Sequence, residues 1–212
     1  MLIFDLDGTL VDSRADLAAA VNHVLRGSGL PELSEAVVAG YVGDGARRLL
    51  QRAVGTAPGV DLDDALRRFL AYYGAHLLDR TRAYPGIPET LAAVAARGIT
   101  QAVLSNKPAA MSRTILEGLG LSRFFAAVLG GDSLPAPKPD PAGVRRLCAE
   151  TGAPPSAVLL VGDSPVDLQT ARAAGVGFCG VTWGFAAAGL RAAAATPLID
   201  GPDELLELME RV

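Results

Sequence analysis

Two aspartates two positions apart, Asp5 and Asp7, follow the apolar start of the chain. Three later clusters carry related polarity: Ser105-Asn106-Lys107, Lys138-Pro139-Asp140 and Gly162-Asp163-Ser164-Pro165-Val166-Asp167. Carboxylates at this density suit Mg²⁺, a hard cation that takes oxygen ligands and shares them with a phosphate. A lysine and a hydroxyl beside them would hold the anion, and loops that open helices add N–H donors for its oxygens. Lysine usage adds a second signal. Among 19 basic residues only Lys107 and Lys138 are lysines. A chain so biased toward arginine keeps a lysine by chance or where arginine will not serve.

These clusters need elements to bring them together. The pattern predicts a strand over 1–6, then a helix from Ser13 as N-cap to Gly27. Further helices are expected from near Ser34, over 45–54, and after Asp61, the last with Leu62, Leu66, Phe69, Leu70, Tyr73 and Leu77 at helical spacing. No strand pattern is visible between residues 14 and 82, so that block reads as an all-helical insertion. After Tyr84-Pro85-Gly86, strands over 99–104, 125–129, 157–161, 176–181 and 198–199 alternate with helices. Alternation implies parallel pairing with right-handed crossovers: an α/β fold, a doubly wound parallel sheet with a Rossmann-like core. Residues 1–13 and 83–212 would form that core, and 14–82 a helical cap inserted after the first strand. The polar clusters then fall at the carboxyl ends of strands, where open parallel sheets bind ligands.

Composition narrows the function. Of 212 residues, 50% are hydrophobic but only 5% aromatic, which favours Ala/Leu helices over a β-sandwich. A net charge of −4 speaks against a general nucleic-acid or anionic-membrane surface. No run reaches the ~18 apolar residues of a membrane span, and the start does not read as a signal peptide. Cys148 and Cys179 form neither a disulfide framework nor a metal-ligand spacing, so a cytoplasmic protein with reduced thiols is expected.

The stretch Asp5-Leu6-Asp7-Gly8-Thr9-Leu10-Val11-Asp12-Ser13 resembles the first motif of the haloacid dehalogenase-like phosphohydrolases. Ser105-Asn106-Lys107 is similar to the second, Lys138-Pro139-Asp140-Pro141 to the third, and Gly162 to Asp167 to the fourth, in the right order. A chance D-x-D-G-T in a chain this long has a probability on the order of 10⁻³. The resemblance spans nearly the whole chain, with the insertion where that family places its cap. Within the family, bacterial phosphoglycolate phosphatases are most similar, through Asp16 to Asn22, Tyr41 to Arg47, Tyr84-Pro85-Gly86, Gly130 to Ser133 and Val181 to Gly184. One departure is the lead before Asp5, which is only four residues long.

The resemblance implies a Mg²⁺-dependent phosphomonoester hydrolase working through an aspartyl-phosphate. Asp5 would be the nucleophile and Asp7 the general acid and base, entering protonated because like charges crowd it. Mg²⁺ would be held by Asp5, the Asp7 carbonyl and Asp163, with Asp167 acting through water or one layer out. Lys138, Ser105, the Asn106 N–H and Thr9 would bind the phosphate, with Thr9 also fixing the loop after the nucleophile. Lys107 is open between site and rim. Gly43 and Gly45 flank a cap turn facing the cleft. Arg47 is open between a solvated helix charge and the cap's ligand for a substrate carboxylate. His23 and His76 read as structural or exposed, and Asp12 and Asp132 as helix caps.

The leading expectation is hydrolysis of 2-phosphoglycolate to glycolate and phosphate. Its alternatives are a phosphatase for sugar phosphates or pyrophosphate, a phosphoglucomutase, or a catalytically idle binding module. The only partner expected is a small-molecule phosphate ester, with no nucleic acid and no membrane, and the protein itself a monomer or homodimer.

Overall fold

The computed structural model describes residues 1–210, so the last two residues of the expected core lie outside the described residues. In chain order the elements begin with β1 (Leu2–Phe4) and β2 (Val11–Asp12). The helices α1 (Arg14–Gly27), α2 (Glu35–Ala39), α3 (Ala46–Val54) and α4 (Leu62–Ala75) follow, then β3 (Arg82–Ala83). Next come α5 (Ile87–Ala96), β4 (Gln101–Leu104), α6 (Ala109–Gly118), β5 (Ala127–Leu129) and α7 (Ala142–Thr151). The chain continues through β6 (Leu159–Gly162), α8 (Pro165–Ala174), β7 (Gly177–Val181), α9 (Ala187–Ala192), β8 (Leu198–Ile199) and α10 (Glu204–Glu210).

Six strands form one parallel sheet in the order β5-β4-β1-β6-β7-β8. Leu2, Ile3 and Phe4 of β1 are all buried because helices cover both faces, which is why the strand reads as an unbroken apolar run. From β1 the chain moves out to β4 and β5 on one side, then returns past β1 to β6 on the other. The strand order therefore reverses at β1, and a crevice opens beyond Phe4.

A second, two-stranded antiparallel ribbon pairs β2 with β3, Val11 opposite Ala83 and Asp12 opposite Arg82. The expectation of no strand from 14 to 82 is corrected at Arg82, because two residues are too few to show a period. Between the ribbon strands lie the helices α1 to α4. Ser34 and Asp61 cap α2 and α4 as expected, accepting from Val37 N and from Asp63 and Asp64 N. Ser13 occupies the N-cap position of α1 but its hydroxyl makes no capping bond. The returning chain is tied to α1 by Asp16. Its buried carboxylate accepts from Arg80 N at 3.0 Å, Thr81 N at 2.8 Å and Thr81 Oγ1 at 2.7 Å. Leu17, Leu49, Phe69 and Tyr73 of these helices share one hydrophobic cluster with Phe4 and Val161 of the sheet. His23 and His76 stack on either side of Tyr72, ring centroids 4.2 Å apart, and serve packing.

Candidate active site

Three carboxylates meet at the crevice. Asp5 follows β1, and Asp163 and Asp167 follow β6; one oxygen of each lies within 4.8 Å of the others. All are buried, Asp167 completely. Its side chain is also fully engaged: Oδ1 accepts from Lys138 Nζ at 2.6 Å, and Oδ2 from the Ser164 hydroxyl at 2.6 Å. Oδ2 also accepts from Ser164 N at 3.2 Å, which is half of a capping box that starts α8, so the helix that begins here fixes Asp167 in place. Lys138 Nζ also lies 2.8 Å from Asp5 Oδ1, but off the line of a hydrogen bond. That buried oxygen has no hydrogen-bond partner among the described residues.

The electrostatics follow from this geometry. Burial pushes the Asp5 carboxyl up to about 6; the Lys138 charge opposes the rise and Asp167 adds to it. Asp163 is also held well above the usual carboxylate range, by burial and then by the charges of Asp167 and Asp5. Burial works against the ammonium of Lys138, yet Asp167 and Asp5 outweigh it and hold the group above its ordinary value. One lysine among three buried carboxylates leaves negative charge that a divalent cation would neutralise.

Glycines keep this basin open. Gly8, at φ +84°, has no room for a side chain, since a Cβ there would lie 2.3 Å from Asp163 Oδ2. A Cβ on Gly184 would lie 2.5 Å from the same oxygen. Asp163 Oδ2 accepts from Phe185 N at 2.6 Å, which leaves Oδ1 for another partner. An orphaned Asp5 oxygen, an engaged Asp167 and side-chain-free walls together fit a hard cation held by Asp5 and Asp163.

Asp7 has different neighbours. Its Oδ1 accepts from the Ser13 hydroxyl at 2.6 Å and from Lys107 Nζ at 2.6 Å. Two donors thus face one oxygen of Asp7, while the Asp5 carboxylate lies close enough for the two charges to interact. Lys107 is buried rather than on the rim, and its ammonium also donates to the Tyr73 hydroxyl of α4 at 2.6 Å. Ser13 and Tyr73 are site residues that the sequence reading missed. A buried tyrosine needs a partner for its hydroxyl, and that was the available signal for Tyr73.

Ser105 is buried at the end of β4, where its hydroxyl oxygen accepts from Lys107 N at 3.3 Å. The backbone N–H groups of Leu6, Asp7 and Asn106 make no hydrogen bond among the described residues. The Asn106 side chain braces two loops, donating to Gly43 O at 2.8 Å and Lys138 O at 3.0 Å and accepting from Lys138 N at 2.8 Å. Gly43 and Gly45 line the cleft, both with positive φ, and Gly45 sits against the Asn106 carbonyl.

Two residues are not brought to the cleft. Thr9 faces a separate cavity of about 10 Å³ behind the loop, and its buried hydroxyl has no partner among the described residues. It holds the loop through its carbonyl, which accepts from Trp183 Nε1 at 3.1 Å. Arg47 points outward and pairs with Asp63 at 2.5 Å on the exposed side of α3. Ala46 and Leu49 of that helix line the cleft instead, and the 100° step per residue turns Arg47 away. Leu49 and Leu50 are the buried residues of α3, and their apolar spacing is the signal that could have excluded Arg47.

The model of the haloacid dehalogenase-like hydrolase family matches residues 2–181. A phosphoglycolate phosphatase of Rhodospirillum rubrum is 44% identical, covering 87% of this chain and 80% of the relative. That of Cereibacter sphaeroides (strain ATCC 17029) is 40% identical, over 100% of this chain and 98% of the relative. Among solved structures, a predicted phosphoglycolate phosphatase from Haemophilus somnus 129PT superposes with a TM-score of 0.93 at 37% identity, over 99% of this chain and 97% of that one.

Proposed function

The chain belongs to the haloacid dehalogenase-like hydrolases and is a phosphatase, and from that premise we propose that it hydrolyses 2-phosphoglycolate with Mg²⁺ as its metal. The observation that carries the substrate assignment is the cleft itself. It encloses only about 60 Å³, with its charged groups at the sheet end and an apolar wall of Val42, Leu49, Phe69, Leu70 and Met111 opposite. A short leaving group fits such a space; a polyhydroxylated sugar would leave hydroxyls unpaired against that wall. The relatives named above are phosphoglycolate phosphatases, which supports the same reading.

Phosphate-monoester hydrolysis is among the slowest uncatalysed reactions, so the step is divided. Asp5 attacks phosphorus and becomes the aspartyl-phosphate, while Asp7, its Oδ1 held by Ser13 and Lys107 and its proton on Oδ2, gives that proton to the departing glycolate oxygen. Asp7 then takes a proton from the water that attacks the intermediate, and phosphate leaves. Lys138, the Ser105 hydroxyl and the free N–H groups of Leu6, Asp7 and Asn106 hold the phosphoryl oxygens as their charge develops. Asp5, the Asp7 carbonyl and Asp163 would hold Mg²⁺, while Asp167 positions Lys138. When bound, the cation offsets the repulsion between the carboxylate and the anionic phosphate.

The test is a comparison of kcat/KM for 2-phosphoglycolate, a hexose phosphate and pyrophosphate, with Mg²⁺ and with chelator. Phosphoglycolate is expected to lead, chelator to silence all three, and Asp5→Asn to abolish turnover and phosphate trapping on the protein. A lead by either other substrate would overturn the substrate assignment and leave the phosphatase standing. Activity in chelator would overturn the metal.

A further inference from the structure

A carboxylate at the far end of the substrate needs a cation, and the cap supplies none. Arg47 pairs with Asp63 on the outer face, Arg48 with Gln51, and Arg52 with Asp44 and the Tyr41 carbonyl. Apart from Lys138, which is held by Asp167 beside Asp5, Lys107 is the one cationic side chain among the described residues that line the cleft. We propose that Lys107, held by Asp7 and Tyr73, is the residue that recognises the substrate's carboxylate and so selects a phosphorylated short hydroxy acid. The proposal rests on the phosphoglycolate reading and extends it to a specificity-determining pair.

Three observations carry it. The first is donor arithmetic. An ammonium has three N–H groups; Asp7 and Tyr73 take two at 2.6 Å each, and the third has no partner among the described residues. The Tyr73 hydroxyl accepts from Lys107, and its own proton likewise has no acceptor among them. Two donors are thus available from one buried pair, with the Lys107 side chain only 4% exposed.

The second is position. Asp7 serves the ester oxygen of the leaving group, and in phosphoglycolate the carboxylate carbon is two bonds from that oxygen. Lys107 grips the same Asp7 carboxylate, so its ammonium is within reach of a group on the adjacent carbon. The third is charge. A substrate carboxylate entering a cleft lined by Asp5 and Asp163 would be repelled by them, and the Lys107 ammonium offsets that repulsion. Tyr73 comes from α4 and Lys107 from the sheet side, so the recogniser forms only where the two halves meet.

The experiment uses two substrates that differ only in the group recognised: 2-phosphoglycolate and ethyl phosphate, which has a methyl in place of the carboxylate. The wild type is expected to prefer phosphoglycolate in kcat/KM. Lys107→Met should lower that preference roughly 10–150-fold, the worth of one charge-assisted hydrogen bond, with much of the loss in KM. Tyr73→Phe removes a hydroxyl and no charge; it should lower the preference about 2–10-fold and guards against a misfolded Lys107 variant. If both variants lose kcat equally on both substrates, Lys107 only orients Asp7 and the proposal is overturned. A wild type with no preference for phosphoglycolate would reject the substrate reading itself, and this proposal with it.

Discussion

Asp5 carries three influences at once: burial, the Lys138 charge beside it, and the carboxylates of Asp167 and Asp7. Its acid constant of about 6, against 3.8 for the free group, fixes the sign of two effects. In the metal-free protein the folded state holds the Asp5 proton through the window from 3.8 to about 6, where the unfolded chain has lost it. This group therefore favours folding most below that window, and its contribution falls as pH rises through about 6. Cation binding needs the ionised form and runs the other way, as the raised Asp163 requires too. The rise in thermal midpoint produced by Mg²⁺ should be small near pH ~5 and large near pH ~7.5. Asp163→Ala should lose that rise at both values; an equal rise at both in the wild type would show that the cation binds elsewhere.

At the scale of elements, the ribbon β2–β3 and the carboxylate of Asp16 control how the helical block joins the sheet. Arg80 N, Thr81 N and the Thr81 hydroxyl all converge on Asp16, which is 2% exposed. Asp16→Ala would leave these donors unsatisfied in a dry place, at a cost of about 1–3 kcal/mol each before relaxation. We expect a loss of roughly 3 kcal/mol or more of unfolding free energy in urea, without change in the identity of the preferred substrate. A loss under about 1 kcal/mol would mean that water replaces the carboxylate there.

For the whole molecule, two hydrogen bonds span the cleft from the sheet side to the helical block: Asn106 to Gly43 and Lys107 to Tyr73. Both start from one loop after β4, the loop that also carries Ser105, so a phosphate bound there would touch the segment that contacts the helices. A block joined by two connections can move as a unit and shut water out once substrate is bound. Amide exchange over 41–46 and around Tyr73 is therefore expected to slow when Mg²⁺ and a phosphoryl-transfer mimic are added together. Unchanged exchange at these segments would mean that the helices are already fixed and gate nothing.

The sequence by itself determined the sheet and which carboxylates stand at the crevice. Buried parallel strands are continuous apolar runs, and the polar residue that ends each run is forced to the crevice, so Asp5, Asp7 and Asp163 were legible from spacing alone. Helix starts at Ser34 and Asp61 were legible too, because a cap is a local hydrogen bond. Only the tertiary structure decided partners distant along the chain. Lys107 meets Asp7 across 100 positions and Tyr73 across 34, and no periodicity encodes such a meeting. Thr9 keeps the loop but does not reach the phosphate side, because Gly8, at positive φ, turns the chain just before it and its side chain faces the cavity behind the loop. Arg47, open in the sequence between cleft and solvent, is turned to solvent for a rotational reason: one helical step separates it from Ala46, which lines the cleft. Local rules fix which atoms are available, and packing between separate elements fixes which of them touch.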